Sequence, residues 1–138
     1  MNVIFNSSTI NKRTKEICRV LEDTSREAGM ELHHSTSSLE SRLRQPLNGI
    51  AFVVLYVSSQ KDLSNIIALQ ELIIDLPVIL IMHDTEGDAM TKARILRPRF
   101  IFGAGDNLEE IGLIFKRMLA RQKRLDSTTV IRMSRERL

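Results

Sequence analysis

Ile50-Ala51-Phe52-Val53-Val54-Leu55-Tyr56-Val57 contains no charged residue and no alternation of apolar with polar positions. A strand with one wet face alternates, whereas a strand covered on both faces is apolar throughout, as in a parallel sheet flanked by helices. Downstream, Leu63, Ile66, Ile67, Leu69, Ile73 and Leu76 recur at helical spacing until Pro77, which cannot continue a helix. Val78-Ile79-Leu80-Ile81-Met82 then supplies a second wholly apolar run. Together the three segments form a strand–helix–strand unit, and that unit sets the fold class.

Working outward, Val3-Ile4-Phe5 reads as a strand, and the polar cluster Asn6–Thr9 suits the cap of a helix from Thr9 to Ala28. In that helix Ile10, Ile17, Leu21 and Ala28 share a face, with Gly29 as a left-handed stop. Met30–His34 reads as a further strand, and Ser37 with Glu40 has capping-box spacing before a short helix to about Gln45. After the polar loop His83–Asp88, a helix carries Met90, Ala93 and Leu96, and Arg99–Phe102 makes the last strand before Gly103-Ala104-Gly105. Asp106 and Glu109 have capping-box spacing for a final helix to about Arg124, whose face is marked by Leu108, Ile111, Phe115, Met118 and Leu119. Five strands alternating with five helices through right-handed crossovers predict an α/β doubly wound parallel sheet, flavodoxin-like in order 2-1-3-4-5, with helices on both faces. The domain is expected over residues 1–124, with 125–138 a basic linker or helical extension.

A chain of 138 residues, 43% of them hydrophobic, suits one compact domain. No apolar run is long enough to span a membrane and Met1–Phe5 lacks the build of a signal peptide, so a cytoplasmic location is expected. The single cysteine, Cys18, excludes an internal disulfide and reads as a buried helix residue. Charge is divided unevenly: residues 116–138 hold 8 Lys/Arg against 2 Asp/Glu, while the preceding residues are net acidic. The basic segment has no aromatic residue for base stacking and no reading motif, which argues against direct nucleic-acid binding.

Candidate chemistry is sparse. The loop His83-Asp84-Thr85-Glu86-Gly87-Asp88 lacks the regular oxygen ligands and closing glutamate of a calcium loop. His33 and His34 are adjacent on a strand, so they point to opposite faces and do not share a metal. Ser7, Ser8 and Thr9 precede a helix without the glycines of a phosphate cradle. No Ser–His–Asp or Cys–His set assembles at strand ends, so no enzyme activity, metal or cofactor is expected. The switch-point crevice, rimmed by Asn6, Ser7, Tyr56, Ser58, Met82 and His83, leaves open a small-molecule site.

Over about residues 1–123 the chain resembles the CheY-like response-regulator receiver family. The resemblance rests on Leu76–Met82, similar to the family's "PVI" fourth strand, followed by Phe100–Phe102 and Asp106-Asn107-Leu108-Glu109-Glu110. It implies functional slots at strand ends, and each is changed here. Asn6-Ser7-Ser8 stands where receivers carry the acidic pair that holds magnesium. Tyr56, or Val57 if the register slips by one, stands at the phosphoacceptor aspartate, Met82 at the switch hydroxyl and Gly103 at the lysine. The loss together of metal ligands, nucleophile and neutralising charge implies a pseudo-receiver. The family precedent further implies a protein-interaction module, the N-terminal domain of a sigma-54-dependent flagellar or biofilm transcription regulator, or alternatively a small-molecule sensor or stand-alone adaptor. Its partner would be an output domain, or a second copy through the fourth-helix, fifth-strand, fifth-helix face, with Met90, Phe100, Ile111, Phe115, Arg117 and Arg121 as candidate contacts.

Overall fold

The computed structural model describes residues 1–26 and 28–136, and from residue 126 onward the backbone alone. Its strands are β1 (Asn2–Ser7), β2 (Gly29–His33), β3 (Ile50–Val57), β4 (Val78–Met82) and β5 (Phe100–Gly103). The helices are α1 (Lys12–Thr24), α2 (Thr36–Leu43), α3 (Gln60–Ile67), α4 (Gln70–Ile73), α5 (Gly87–Ala93) and α6 (Leu108–Glu136), with a 3-10 turn at Arg94–Leu96. All pairings are parallel, in the expected order β2-β1-β3-β4-β5.

Alternate residues of the buried strands feed two cores. Val3, Phe5, Phe52, Val54, Tyr56, Ile79 and Ile81 pack under α1 and α6, and the phenyl rings of Phe52 and Phe115 stack at 6.1 Å between centroids. Ile4, Val53, Leu55, Val57, Leu80 and Met82 pack under α2 to α5. This double covering is why β3 and β4 are apolar at successive positions.

Several boundaries differ from expectation, each for a local reason. Helix α1 begins at Lys12 because Asn11 caps it: the Asn11 side chain accepts from the Thr14 N–H, and the Thr14 hydroxyl accepts from the Asn11 N–H. Ile10 therefore lies outside the helix and is 62% exposed. Gly29 opens β2 instead of stopping α1. Ser35, not Ser37, caps α2, and Asn107, not Asp106, caps α6, accepting from the Glu109 and Glu110 N–H groups. The long helix before Pro77 is two pieces. Its buried residues Leu63, Ile66, Leu69 and Ile73 are spaced three, three and four apart, and the chain tightens where Leu69 N–H donates to the Ile66 carbonyl. Cys18 is half-buried. Helix α6 runs unbroken past Arg124 to Glu136, through most of the stretch expected as a basic linker or helical extension.

Candidate functional site

In a parallel sheet of this order, ligands and reacting groups gather at the carboxyl ends of the strands, where β1 and β3 diverge. The register brings the expected residues together there. Ser7 lies beside Tyr56, Tyr56 beside Ile81, Val57 beside Met82, and Met82 beside Gly103.

The resulting pocket is filled with side chains. Asn6 and Ser7 are buried, at 2% and 1% exposure, and so are Tyr56, Val57 and Met82. Tyr56 points into the core under α1 and α6, and Val57 into the core on the opposite face. Either choice for the acceptor slot therefore places an uncharged, packed side chain there. The Tyr56 hydroxyl is hydrogen-bonded to His83 Nε2 at 2.7 Å, and the two rings meet edge to face. Burial pushes the Tyr56 phenol above its ordinary pKa, although the Asn11 side chain and the Arg13 charge pull the other way. Ser7 spends its hydroxyl on the Thr9 carbonyl at 2.6 Å. Asn6 Oδ1 is buried without a hydrogen-bond partner.

Above this layer the loops are tied by one carboxylate. Asp62 accepts from the Ser8 hydroxyl at 2.7 Å, from the Ser58 hydroxyl at 2.9 Å and from the Ser58 N–H at 3.2 Å. Thr9 Oγ1 and Ser58 Oγ lie 2.8 Å apart beside it. The Asp62 oxygens thus bridge the β1–α1 and β3–α3 loops. What remains between the ends of β3 and β4, among Val57, Leu63, Met82, Asp84 and Ala89, is a cavity of about 30 Å³. That is the space of a single water, far below the several hundred cubic ångströms of a small-molecule pocket.

On the other side, Gly103 donates its N–H to Asp106 Oδ2 at 2.8 Å and contributes no side chain. A cation reaches this loop from elsewhere: Arg13, on α1, donates Nε–H to the Ala104 carbonyl and Nη2–H to the Asp106 carbonyl. Neither Asp62 nor Arg13 stood out in the sequence. For Asp62 the available signal was Ser59-x-x-Asp62, the spacing of a helix cap, since Ser59 accepts from the Asp62 N–H. For Arg13 there was none, because its partners are backbone carbonyls more than ninety positions away.

The expected contact residues divide. Phe100 is 39% exposed, Met90 half-buried, and Arg117 and Arg121 exposed. Ile111 and Phe115 are core residues at 0% and 1% exposure and offer no contact area to a partner, which corrects their assignment. The reason is geometric: the apolar stripe that marks α6 in sequence is the stripe that faces the sheet. Among the described side chains of this helix, exposed apolar area comes from Leu113 and Leu125, at 49% and 50%. Among the described residues no group of His, Cys, Asp and Glu is arranged to hold a metal, and no helix is long and apolar enough to cross a membrane.

No protein-family model and no curated protein matches the sequence. Solved structures do match in fold. A CheY-like response regulator receiver domain protein from Methanospirillum hungatei superposes with a TM-score of 0.66 at 8% identity, over 89% of this chain and 96% of that one. A pilus assembly-related protein from Burkholderia pseudomallei gives 0.67 at 16% identity, over 87% and 90%. The pilus assembly protein CpaE from Burkholderia thailandensis gives 0.64 at 15%, over 87% and 98%. The fold is that of the CheY-like receiver domains.

Proposed function

We propose that this domain is a pseudo-receiver, a regulatory protein-interaction module that works without phosphorylation and is not an enzyme. The observation that carries this reading is the packed strand-end pocket. Tyr56, Val57 and Met82 fill it, Gly103 leaves no cation in the lysine slot, and the Asp62 carboxylate is held by three donors. Incubation with Mg²⁺ and acetyl phosphate, followed by intact mass and by amide spectra with beryllofluoride, is expected to leave mass and spectrum unchanged. An added phosphoryl group, or beryllofluoride shifts centred on the strand ends, would overturn it.

The partner we infer is a second copy, through α5, β5 and α6. Charge along this edge is sorted by height: exposed Asp84, Glu86, Asp88, Asp106, Glu109 and Glu110 lie where the strands end, and exposed Lys92, Arg94, Arg97 and Arg99 where they begin. Between them Ile95 and Phe100 are 49% and 39% exposed. A two-fold axis across β5 sets each acidic end against a basic one. Sedimentation should show a dimer that Arg97→Glu or Phe100→Asp disperses; a monomer at every soluble concentration would refute this partner.

The wider setting we propose is the N-terminal regulatory domain of a sigma-54-dependent flagellar or biofilm transcription regulator, acting in the cytoplasm. A pilus-assembly adaptor is the second reading, favoured by the names of the two Burkholderia neighbours. Gene deletion separates them: altered flagellar or biofilm transcripts support the first, and lost pili with unchanged transcripts the second.

A further inference from the structure

Away from the strand ends, a cavity of about 210 Å³ lies between α1 and the edge formed by β1 and β2. Phe5, Ile10, Cys18 and Leu32 are among the residues that line it. Exposed apolar side chains scattered singly require no explanation. Ile10 and Leu32 share one cavity, and folding leaves them 62% and 44% in water. The cause is local for Ile10: with Asn11 as the cap, it stays outside α1.

Lys15 is the one formally charged residue lining the cavity, and none of the lining residues is acidic. Glu22 approaches the Cys18 sulfur at 4.0 Å but does not line the cavity. An enclosed dry cavity of roughly 150 Å³ with apolar walls accepts benzene, and this larger one, open to solvent on one side, has space for such a body with a small polar head toward water. Binding is favoured when the few polar groups at an apolar pocket orient the ligand, and the cationic side chain in this lining is Lys15.

We infer that this cavity binds a small carboxylic acid with an apolar body of about benzene's size. The body sits between Ile10, Leu32 and Phe5, and the carboxylate faces the Lys15 ammonium. The site is distinct from the strand-end pocket and does not rest on how that pocket is read.

Cys18 is the only cysteine of the chain and lies in the cavity wall, so its reactivity reports occupancy directly. Burial, with Glu22 adding to it, raises the thiol's pKa, and labelling is therefore followed at mildly alkaline pH. The probe is phenylacetate, with 2-phenylethanol as its uncharged counterpart. Phenylacetate is expected to slow maleimide labelling of Cys18 saturably, by about tenfold at saturation, and the alcohol much less. Lys15 is exposed, so Lys15→Glu should fold normally and lose the phenylacetate effect, compared with and without ligand in the same variant. Amide shifts induced by phenylacetate should centre on Thr9–Lys15 and Leu32–His34. A labelling rate indifferent to phenylacetate, equal protection by the alcohol, or an undiminished effect in Lys15→Glu would each overturn the assignment.

Discussion

A carboxylate at position 56, which the proposed pseudo-receiver reading matches to the receivers' acceptor, should damage the fold and bring no phosphoryl chemistry. Tyr56 is 1% exposed and packs in one core with Phe5, Phe52 and Phe115. Tyr56→Asp removes a buried ring, a loss of about 3–5 kcal/mol for aromatic-to-small changes. His83, on an exposed loop, can turn its freed nitrogen to water, so the broken hydrogen bond adds at most about 1 kcal/mol. Taking about 4 kcal/mol, at roughly 3 °C per kcal/mol for a chain of this size, Tm should fall by about 12 °C. The new carboxyl group adds a pH-dependent part. Burial raises its pKa in the folded state, so the native protein resists ionisation. The penalty is absent below the unfolded pKa of about 3.9, grows as pH rises through the folded value and is complete above it. The gap between variant and wild type should therefore be wider at pH 8 than at pH 4. Thermal unfolding by circular dichroism across that range measures both quantities, with Tyr56→Phe as the control that keeps the ring and loses about 3 °C. A Tyr56→Asp protein with wild-type Tm at pH 8, or one that takes a phosphoryl group from acetyl phosphate, would refute the account of this pocket as packed core.

Arg13→Ala removes the charged donors that hold the Ala104 and Asp106 carbonyls; with the side chain 25% exposed, a loss of about 1–2 kcal/mol is expected in denaturant unfolding, and Arg13→Lys should recover only part of it. A Cβ at Gly112 would stand 2.9 Å from Val20 Cγ1, so Gly112→Ala should destabilise despite a helix-propensity gain of about 1 kcal/mol, and Val20→Ala combined with it should restore part of the loss in a double-mutant cycle. Hydrogen bonds from Arg42, at 2.6 and 3.2 Å, hold the Glu31 carboxyl below its ordinary pKa of 4.5. The stability this pair supplies is present above the unfolded pKa and lost as pH falls through the folded one, so Glu31→Gln should flatten the acid limb of a plot of stability against pH. Tyr56, shifted upward, behaves in the opposite sense: its contribution is complete below the unfolded phenol pKa of about 10 and is lost as pH rises through the folded value, which a 295 nm titration coincident with alkaline unfolding would register.

The sheet was legible because β3 and β4 are buried on both faces, and solvation then acts on every residue at once, leaving the unbroken runs 50–57 and 78–82. That Ser7, Tyr56, Met82 and Gly103 meet at the strand ends was legible for a related reason, since parallel register fixes which residues lie side by side. Caps were misplaced where polar residues crowd together. Asn6 to Asn11 contains six residues of which five could accept from a helix N–H, and only the backbone conformation selects Asn11. Two candidate contacts, Ile111 and Phe115, were misread because an apolar stripe records burial without saying whether sheet or partner does the burying. Contacts such as Arg13 to Ala104 leave no trace in sequence, because any residue supplies a backbone carbonyl.

Helix α6 has a mechanical consequence. Its 29 residues extend about 43 Å, while the eight residues of β3 span only about 27 Å. Its near end is pinned by the Asn107 cap and by the packing of Ile111, Phe115 and Met118, so the remainder acts as a lever whose fulcrum is the α1–α6 contact. A tilt of roughly 10° there sweeps the far end, about 27 Å beyond Met118, through about 5 Å, close to one turn of helix pitch. Replacing Gly112 by a bulkier residue at that fulcrum is thus a change in leverage as well as in packing.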